Sequence, residues 1–119
     1  MKLPGPDHPI TITPAAGRVV VRFAGEVIAD THHALELRET SYPPVLYIPR
    51  AGARMAHFAK TAHSTHCPYK GDASYFTLTA GDKSAANAVW SYETPYPSMA
   101  EIKDHLAFYP QYVAIERSA

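Results

Sequence analysis

Proline is the residue that most limits what this chain can fold into. Eleven of its 119 residues are proline, spread from Pro4 to Pro110. Each fixes its own φ, lacks an N–H donor and biases the residue before it away from helix. Long helices are therefore excluded, and the chain reads as short elements joined by turns. Pro4, Pro6, Pro9 and Pro14 make residues 1–16 an extended arm, which leaves 17–119 as a single β domain of ordinary size. Apolar residues make up 46% of the chain and charged residues 18%, a balance that supports one hydrophobic core rather than disorder.

Strand signals recur along that domain. In Arg18 to Ala24, Val19, Val21 and Phe23 share a face at period two, Gly25 supplies a turn, and Glu26 to Asp30 returns as a hairpin. Ala34 to Glu39 alternates again, with Leu35 and Leu37 on one face and Glu39 in phase with them. Val45 to Ile48, Ser74 to Thr79, Ala88 to Tyr92, Leu106 to Tyr109 and Tyr112 to Glu116 complete the strands. Residues 51–60 read weakly, as a helical turn around Arg54 to Phe58, and His63 to Gly71 reads as a loop. Ser98 is a candidate N-cap for a short helix over 99–105, with Glu101 at its third position. The expectation is a mainly antiparallel β domain of about eight short strands with one short helix near the C-terminus.

The 11 Lys and Arg cancel the 11 Asp and Glu, which argues against a nucleic-acid or anionic-membrane partner held by net charge. No apolar run approaches the roughly 20 residues of a membrane span. The first residues show no apolar stretch followed by a small-residue cleavage site, so no secretory signal is expected. The single cysteine, Cys67, excludes an intrachain disulfide framework, and the expected compartment is a reducing cytoplasm.

Chemistry concentrates in Thr65 to Tyr75, which holds a thiol, an imidazole, an ammonium, a carboxylate and two phenols. A thiol beside a lysine is a candidate nucleophile, although a lone cysteine is more often buried and inert. Glu39 is the second candidate. A carboxylate in phase with core leucines needs a partner, and Lys70 or Arg50 could supply it. Its functional role would be an acid/base or a ligand anchor, and its structural role an ion pair. Tyr47, Tyr75, Trp90 and Tyr92 lie on predicted strands and suit either a pocket wall or ordinary β core. His63, His66 and Cys67 fall short of a zinc site, because adjacent residues rarely face one ion and no second cluster exists. No phosphate-binding loop, dinucleotide fingerprint, nucleophile elbow or paired magnesium-binding aspartates are present.

Cys67-Pro68-Tyr69-Lys70-Gly71, followed by Ala73 and Tyr75, resembles domain-of-unknown-function family 427, small proteins found mainly in bacteria and fungi. Glu39-Thr40 with Pro43-Pro44, Tyr47 with Pro49, Trp90 with Tyr92 and Pro95, and Phe108-Tyr109 agree in order, over about residues 16–115. The resemblance implies a tent-like arrangement of two β sheets. Zinc-binding proteins of similar shape use two Cys-x-x-Cys knuckles, and with one cysteine here the metal does not carry over. The family also bears a nucleotidyltransferase label, which the missing carboxylate pair does not support. The positions carried over are Glu39, Thr40, Tyr47, Pro49, Thr65, Cys67, Lys70, Gly71, Tyr75, Trp90 and Tyr92.

These readings converge on a small-molecule pocket at one end of the domain, without cofactor or metal. Cys67, Lys70 and Glu39 would be its reactive groups, and Tyr47, Thr65, Tyr75, Trp90 and Tyr92 its ligand-binding wall. Whether such a site turns substrate over is left open. The alternative is a non-catalytic interaction module in which Glu39 and Lys70 form a structural pair and open strand edges join copies in a homo-oligomer.

Overall fold

In the computed structural model, which describes residues 1–119, ten strands follow one another with three short 3-10 segments among them. The strands are β1 (Ile10–Pro14), β2 (Arg18–Phe23), β3 (Glu26–Thr31), β4 (Leu35–Glu39), β5 (Val45–Tyr47), β6 (Phe58–Cys67), β7 (Gly71–Ala80), β8 (Lys83–Ser91), β9 (Ala107–Phe108) and β10 (Ala114–Ser118). They form three antiparallel sheets, ordered β1-β4-β5, β10-β2-β3 and β6-β7-β8-β9. The mainly β, antiparallel class is as expected. The strand count and the sheet count both exceed the expectation.

The best-patterned segments fold as their alternation dictates. β2 and β3 make a hairpin whose last pair is Phe23 with Glu26. Ala24 and Gly25 between them both have positive φ, 50° and 81°, the backbone of the hairpin turn that matches strand twist. Two corrections concern strands that the sequence conceals. Ile10 to Pro14, inside the proline-rich segment, pairs with β4 from Ile10–Glu39 to Pro14–Leu35. Its proline sits at the end of an edge strand, where a missing donor costs no ladder bond. The polar stretch from His63 is no loop. It is the second half of β6, and it pairs with β7 as far as Cys67–Gly71. β6 is a sheet edge whose side chains are mostly exposed, so it has no apolar alternation to reveal it.

The expected helix over 99–105 is also corrected. Pro97–Ile102 is a 3-10 segment broken at Met99 (φ −115°, ψ 20°), and Ser98 makes no capping bond. Met99 and Ile102 are buried three residues apart, the 3-10 repeat, in a segment too short and too proline-bound for a helix. Residues 51–60 are likewise two separate 3-10 turns, Arg50–Gly52 and Met55–His57, that lead straight into β6.

Two apolar cores result. The larger joins Val19, Val21 and Phe23 of β2 and Ile28 of β3 to Phe58, Phe76, Leu78 and Val89 of the four-stranded sheet. The smaller joins Leu37 of β4 and Tyr47 at the end of β5 to Ala73, Tyr75, Tyr92, Met99 and Ile102. On β7, Ala73 and Tyr75 enter the smaller core while Phe76 and Leu78, of opposite parity, enter the larger, so this strand is buried on both faces.

A second tie is ionic. Glu93, just past β8, accepts from Arg50 (2.9 Å) and Lys60 (2.7 Å), and the same Arg50 amino group reaches Ser91 at 3.1 Å. Burial pushes the Glu93 carboxyl up, but bonds from Lys60, Ser74 and Arg50 outweigh it and hold it at about 2. A depressed carboxylate stabilises the fold above its ordinary 4.5 and loses that contribution as pH falls toward about 2. Glu93→Gln is expected to be less stable than the parent at neutral pH, with the gap closing through that acid window. Urea melts at a series of pH values measure it, and a gap independent of pH would contradict the assignment.

Candidate functional site

Glu39 ends β4 on the same face as Leu35 and Leu37, so the strand's phase aims a carboxylate at the margin of the smaller core. The turn between β6 and β7 brings the counter-charge. Cys67 pairs with Gly71, leaving Pro68, Tyr69 and Lys70 as the connection. Gly71 has φ of +110°, which side-chain-bearing residues rarely adopt, and a β-carbon placed there would meet the backbone of Thr94 and Pro95 at 3.5–3.6 Å. Tyr96 N–H donates to the Lys70 carbonyl at 3.0 Å, so the turn is anchored from behind by the segment after β8.

This places Lys70 Nζ 2.5 Å from Glu39 Oε1 and 3.9 Å from Cys67 Sγ. Of the two partners considered for Glu39, Lys70 is the one engaged, while Arg50 serves Glu93. The Lys70 side chain is 8% exposed and that of Glu39 17%, so the pair is largely removed from water. Cys67 is half-buried beside it. Burial pushes the Glu39 carboxyl up, but hydrogen bonds from Lys70 and then His8 prevail and set it below the ordinary carboxylate range. Glu39 is thus an ionised acceptor at neutral pH.

The aromatic residues lie around the same core. Tyr75 pairs across the sheet with Trp90, and its hydroxyl is 2.9 Å from Thr65 Oγ1 and 3.4 Å from the Tyr109 hydroxyl. Trp90 Nε1 donates to the Tyr47 hydroxyl at 3.4 Å and its ring tilts against Tyr109 at 4.6 Å. Burial raises Tyr47 and Tyr92 far above the ordinary phenol range, and burial followed by the bond with Tyr75 pushes Tyr109 up to about 12. These phenols therefore stay protonated and act as neutral hydrogen-bonding groups.

Some features carried no usable sequence signal. His8, within the proline-rich segment, donates from Nε2 to Glu39 Oε2 at 2.6 Å and stacks on Tyr69 with ring centres 3.9 Å apart and planes 5° from parallel. Lys2 N–H donates to the Pro68 carbonyl at 2.7 Å, so the arm crosses the turn that carries Lys70. Thr40 N–H donates to the Pro9 carbonyl at 2.9 Å. Thr40 has φ of 47°, an unfavourable conformation for a β-branched residue, and it lies next to Glu39.

The histidines do not converge on a metal. His66 donates to Asp72 at 2.7 Å, and His63 lies edge-on to Tyr75. No three His, Cys, Asp or Glu side chains come together anywhere in the chain. No helix is long and apolar enough to cross a membrane. None of the three surface cavities is lined by Glu39, Cys67 or Lys70. The nearest, about 350 Å3, lies between Tyr69 and arm residues including Lys2, Pro6 and His8.

Fold and site together define a small antiparallel β domain with a closed carboxylate–ammonium–thiol cluster over an aromatic core. The chain belongs to the family described as a domain of unknown function (DUF427), whose model matches residues 11–119. No curated protein matches the sequence.

Removing one partner of a buried pair strands the other. Lys70→Met is expected to cost about 3 kcal/mol, the low end for a broken buried pair because Glu39 keeps some contact with water. The double change Glu39→Leu with Lys70→Met is expected to recover most of that loss. Denaturant melts of the single and double variants measure the coupling, and strictly additive losses would show that the two groups do not act as a pair.

Proposed function

We propose that this domain binds a small molecule at the Glu39–Lys70–Cys67 cluster, and that residues 1–9 form a flap over the site. One observation carries the reading. The chain maintains a desolvated ion pair against a thiol, and the arm's His8 is what covers Glu39 Oε2. A buried pair is a poor way to gain stability, since apolar residues of similar volume commonly do as well or better. Its value lies in presenting a fixed carboxylate, a fixed ammonium and a sulfur atom on a rigid floor.

Within this proposal Glu39 anchors a donor of the ligand and Lys70 neutralises negative charge on it. Tyr47, Thr65, Tyr75, Trp90 and Tyr92 shape the floor. If the site is catalytic, Cys67 is the nucleophile, because it is the only polarisable nucleophilic atom within reach of the ammonium. A nucleotidyl-transfer reading finds no support in the side chains, because no group of three or more His, Cys, Asp or Glu residues is placed to hold a metal ion.

The second reading, a non-catalytic interaction module, is favoured by one observation: the pair is closed and lines no cavity. Labelling kinetics separate the two. Under the binding proposal the flap opens without the domain unfolding, so Cys67 alkylation by iodoacetamide is nearly independent of low urea, and His8→Ala accelerates it several-fold at unchanged melting temperature. Under the module reading Cys67 reacts only through global unfolding, with the full denaturant dependence of stability, and His8→Ala leaves the rate alone. That second pattern would overturn the binding proposal.

A further inference from the structure

The contacts of His8 describe a ligand as well as a flap. Its imidazole lies flat on the Tyr69 ring, within 5° of parallel, and the same ring donates an N–H to Glu39 Oε2. Glu39 Oε1 is already taken by Lys70, so Oε2 is the free end of a carboxylate whose other end is fixed. An ionised carboxylate only accepts, so whatever occupies this position must donate. The phenol face beside it favours a planar π system over a saturated amine or a hydroxyl compound. Stacking and hydrogen bond are satisfied at once by one rigid ring carrying its donor in the ring plane.

The occupant comes from outside the matched domain, since the family match begins at residue 11 and His8 precedes it. The arm also lies loosely over the ring: the cavity of about 350 Å3 beside Tyr69 is walled by Lys2, Leu3, Gly5, Pro6, Asp7 and His8. Tyr69 lies in the turn closed by the Cys67–Gly71 pair, and Glu39 ends β4 opposite Ile10, which follows residues 1–9.

We propose that Tyr69 and Glu39 form a recognition site for a planar nitrogen heteroaromatic group that bears a ring N–H donor, and that His8 is its intramolecular competitor. This inference rests on the small-molecule reading above and names the class of ligand. Lys70 Nζ gives one donor to Glu39 Oε1 and lies 3.9 Å from Cys67 Sγ, which leaves one ammonium hydrogen for an acceptor on the ligand. Because His8 is tethered, its effective concentration is at least millimolar, and a free ligand must compete with it.

The probe is imidazole, followed by amide chemical shifts of the full-length chain. In His8→Ala, imidazole is expected to saturate at a few millimolar, the order allowed for a ring of five heavy atoms, with shifts centred on Tyr69, Lys70 and Glu39. In the parent chain about tenfold more imidazole is expected to be needed, because the His8 ring must first be displaced. 1,3-Dimethylimidazolium, a planar cation with no N–H, is expected not to saturate, and adding Tyr69→Ala to His8→Ala is expected to weaken imidazole at least tenfold.

Equal titrations of the parent and His8→Ala would overturn the inference, as would equal binding of imidazole and its dimethylated cation. In the parent chain, a Tyr69 side-chain resonance that stays unchanged at saturating imidazole would also overturn it without recourse to any variant. The two proposals fail separately. Faster Cys67 alkylation in His8→Ala with no imidazole binding leaves the flap and the site standing and removes the heteroaromatic ligand class. No change in either removes both.

Discussion

The Lys70–Glu39 pair is the contact on which the arrangement of this end of the molecule depends. At 2.5 Å, with both side chains mostly out of water, it is closer to an internal electrostatic tie than to a surface salt bridge. Each ion is costly to hold in that position without the other. The pair therefore ties the last residue of β4 to the turn between β6 and β7, linking the three-stranded β1-β4-β5 sheet to the four-stranded one. The smaller core is built from both of those sheets and lies under the same junction. A shift of either sheet would be felt at the pair, and a change at the pair would be felt in the packing of Leu37, Tyr47 and Tyr75.

Polar groups at such a junction are conspicuous because the floor below is aromatic. Tyr47, Tyr75, Trp90 and Tyr109 bring hydroxyl and indole groups that bond mainly to one another and to Thr65. Burial holds the Tyr47 and Tyr109 phenols protonated, so they can satisfy a neighbouring polar atom without adding charge. The charged layer above it has one acceptor, Glu39, and one donor, Lys70, in contact. Cys67 sits at the boundary, with a sulfur facing the ammonium and a backbone that closes the β6–β7 ladder. The thiol's place is thus set by strand register, and its surroundings by the ion pair.

Much of this was legible in the sequence where alternation is strong, and little where polar residues form strands. Val19, Val21 and Phe23 declared β2, and Gly25 its turn. Leu35 and Leu37 put Glu39 in phase with the core, which is a sequence-level fact with a physical consequence: the carboxylate needs a partner. That Lys70 rather than Arg50 supplies it could not be read from spacing, because the answer lies in the register of Cys67 with Gly71. The second half of β6 was hidden for the reason edge strands generally are. One edge and one face meet solvent, so His63, Ser64 and His66 carry no periodic apolar signal. β1 was hidden by its flanking prolines, although Ile10 and Ile12 alternate between them. The helix expected after Pro97 failed because Ser98 makes no capping bond, the backbone breaks at Met99, and the six residues bury Met99 and Ile102 at the 3-10 spacing. His8 and Tyr69 gave no signal, since stacking between residues so far apart in sequence follows from the arm's path over the turn.

That path has a thermodynamic consequence for any site beneath it. A site that is free only when the flap is lifted shows an apparent affinity reduced by the fraction of molecules in which it is lifted. Residues 1–9 are held by one charge-assisted hydrogen bond, one stacked ring and the Lys2–Pro68 and Thr40–Pro9 backbone bonds, against the chain entropy of ordering them. The contacts that hold the arm are few, and the chain entropy of ordering its residues, roughly 1–2 kcal/mol each, opposes them. The prolines at 4, 6 and 9 lower that opposing cost, because a chain already restricted before docking has less freedom to lose. The same residue type that forbids long helices in this chain thus also makes a short arm able to rest in one place, across the turn that carries Lys70 and against Glu39.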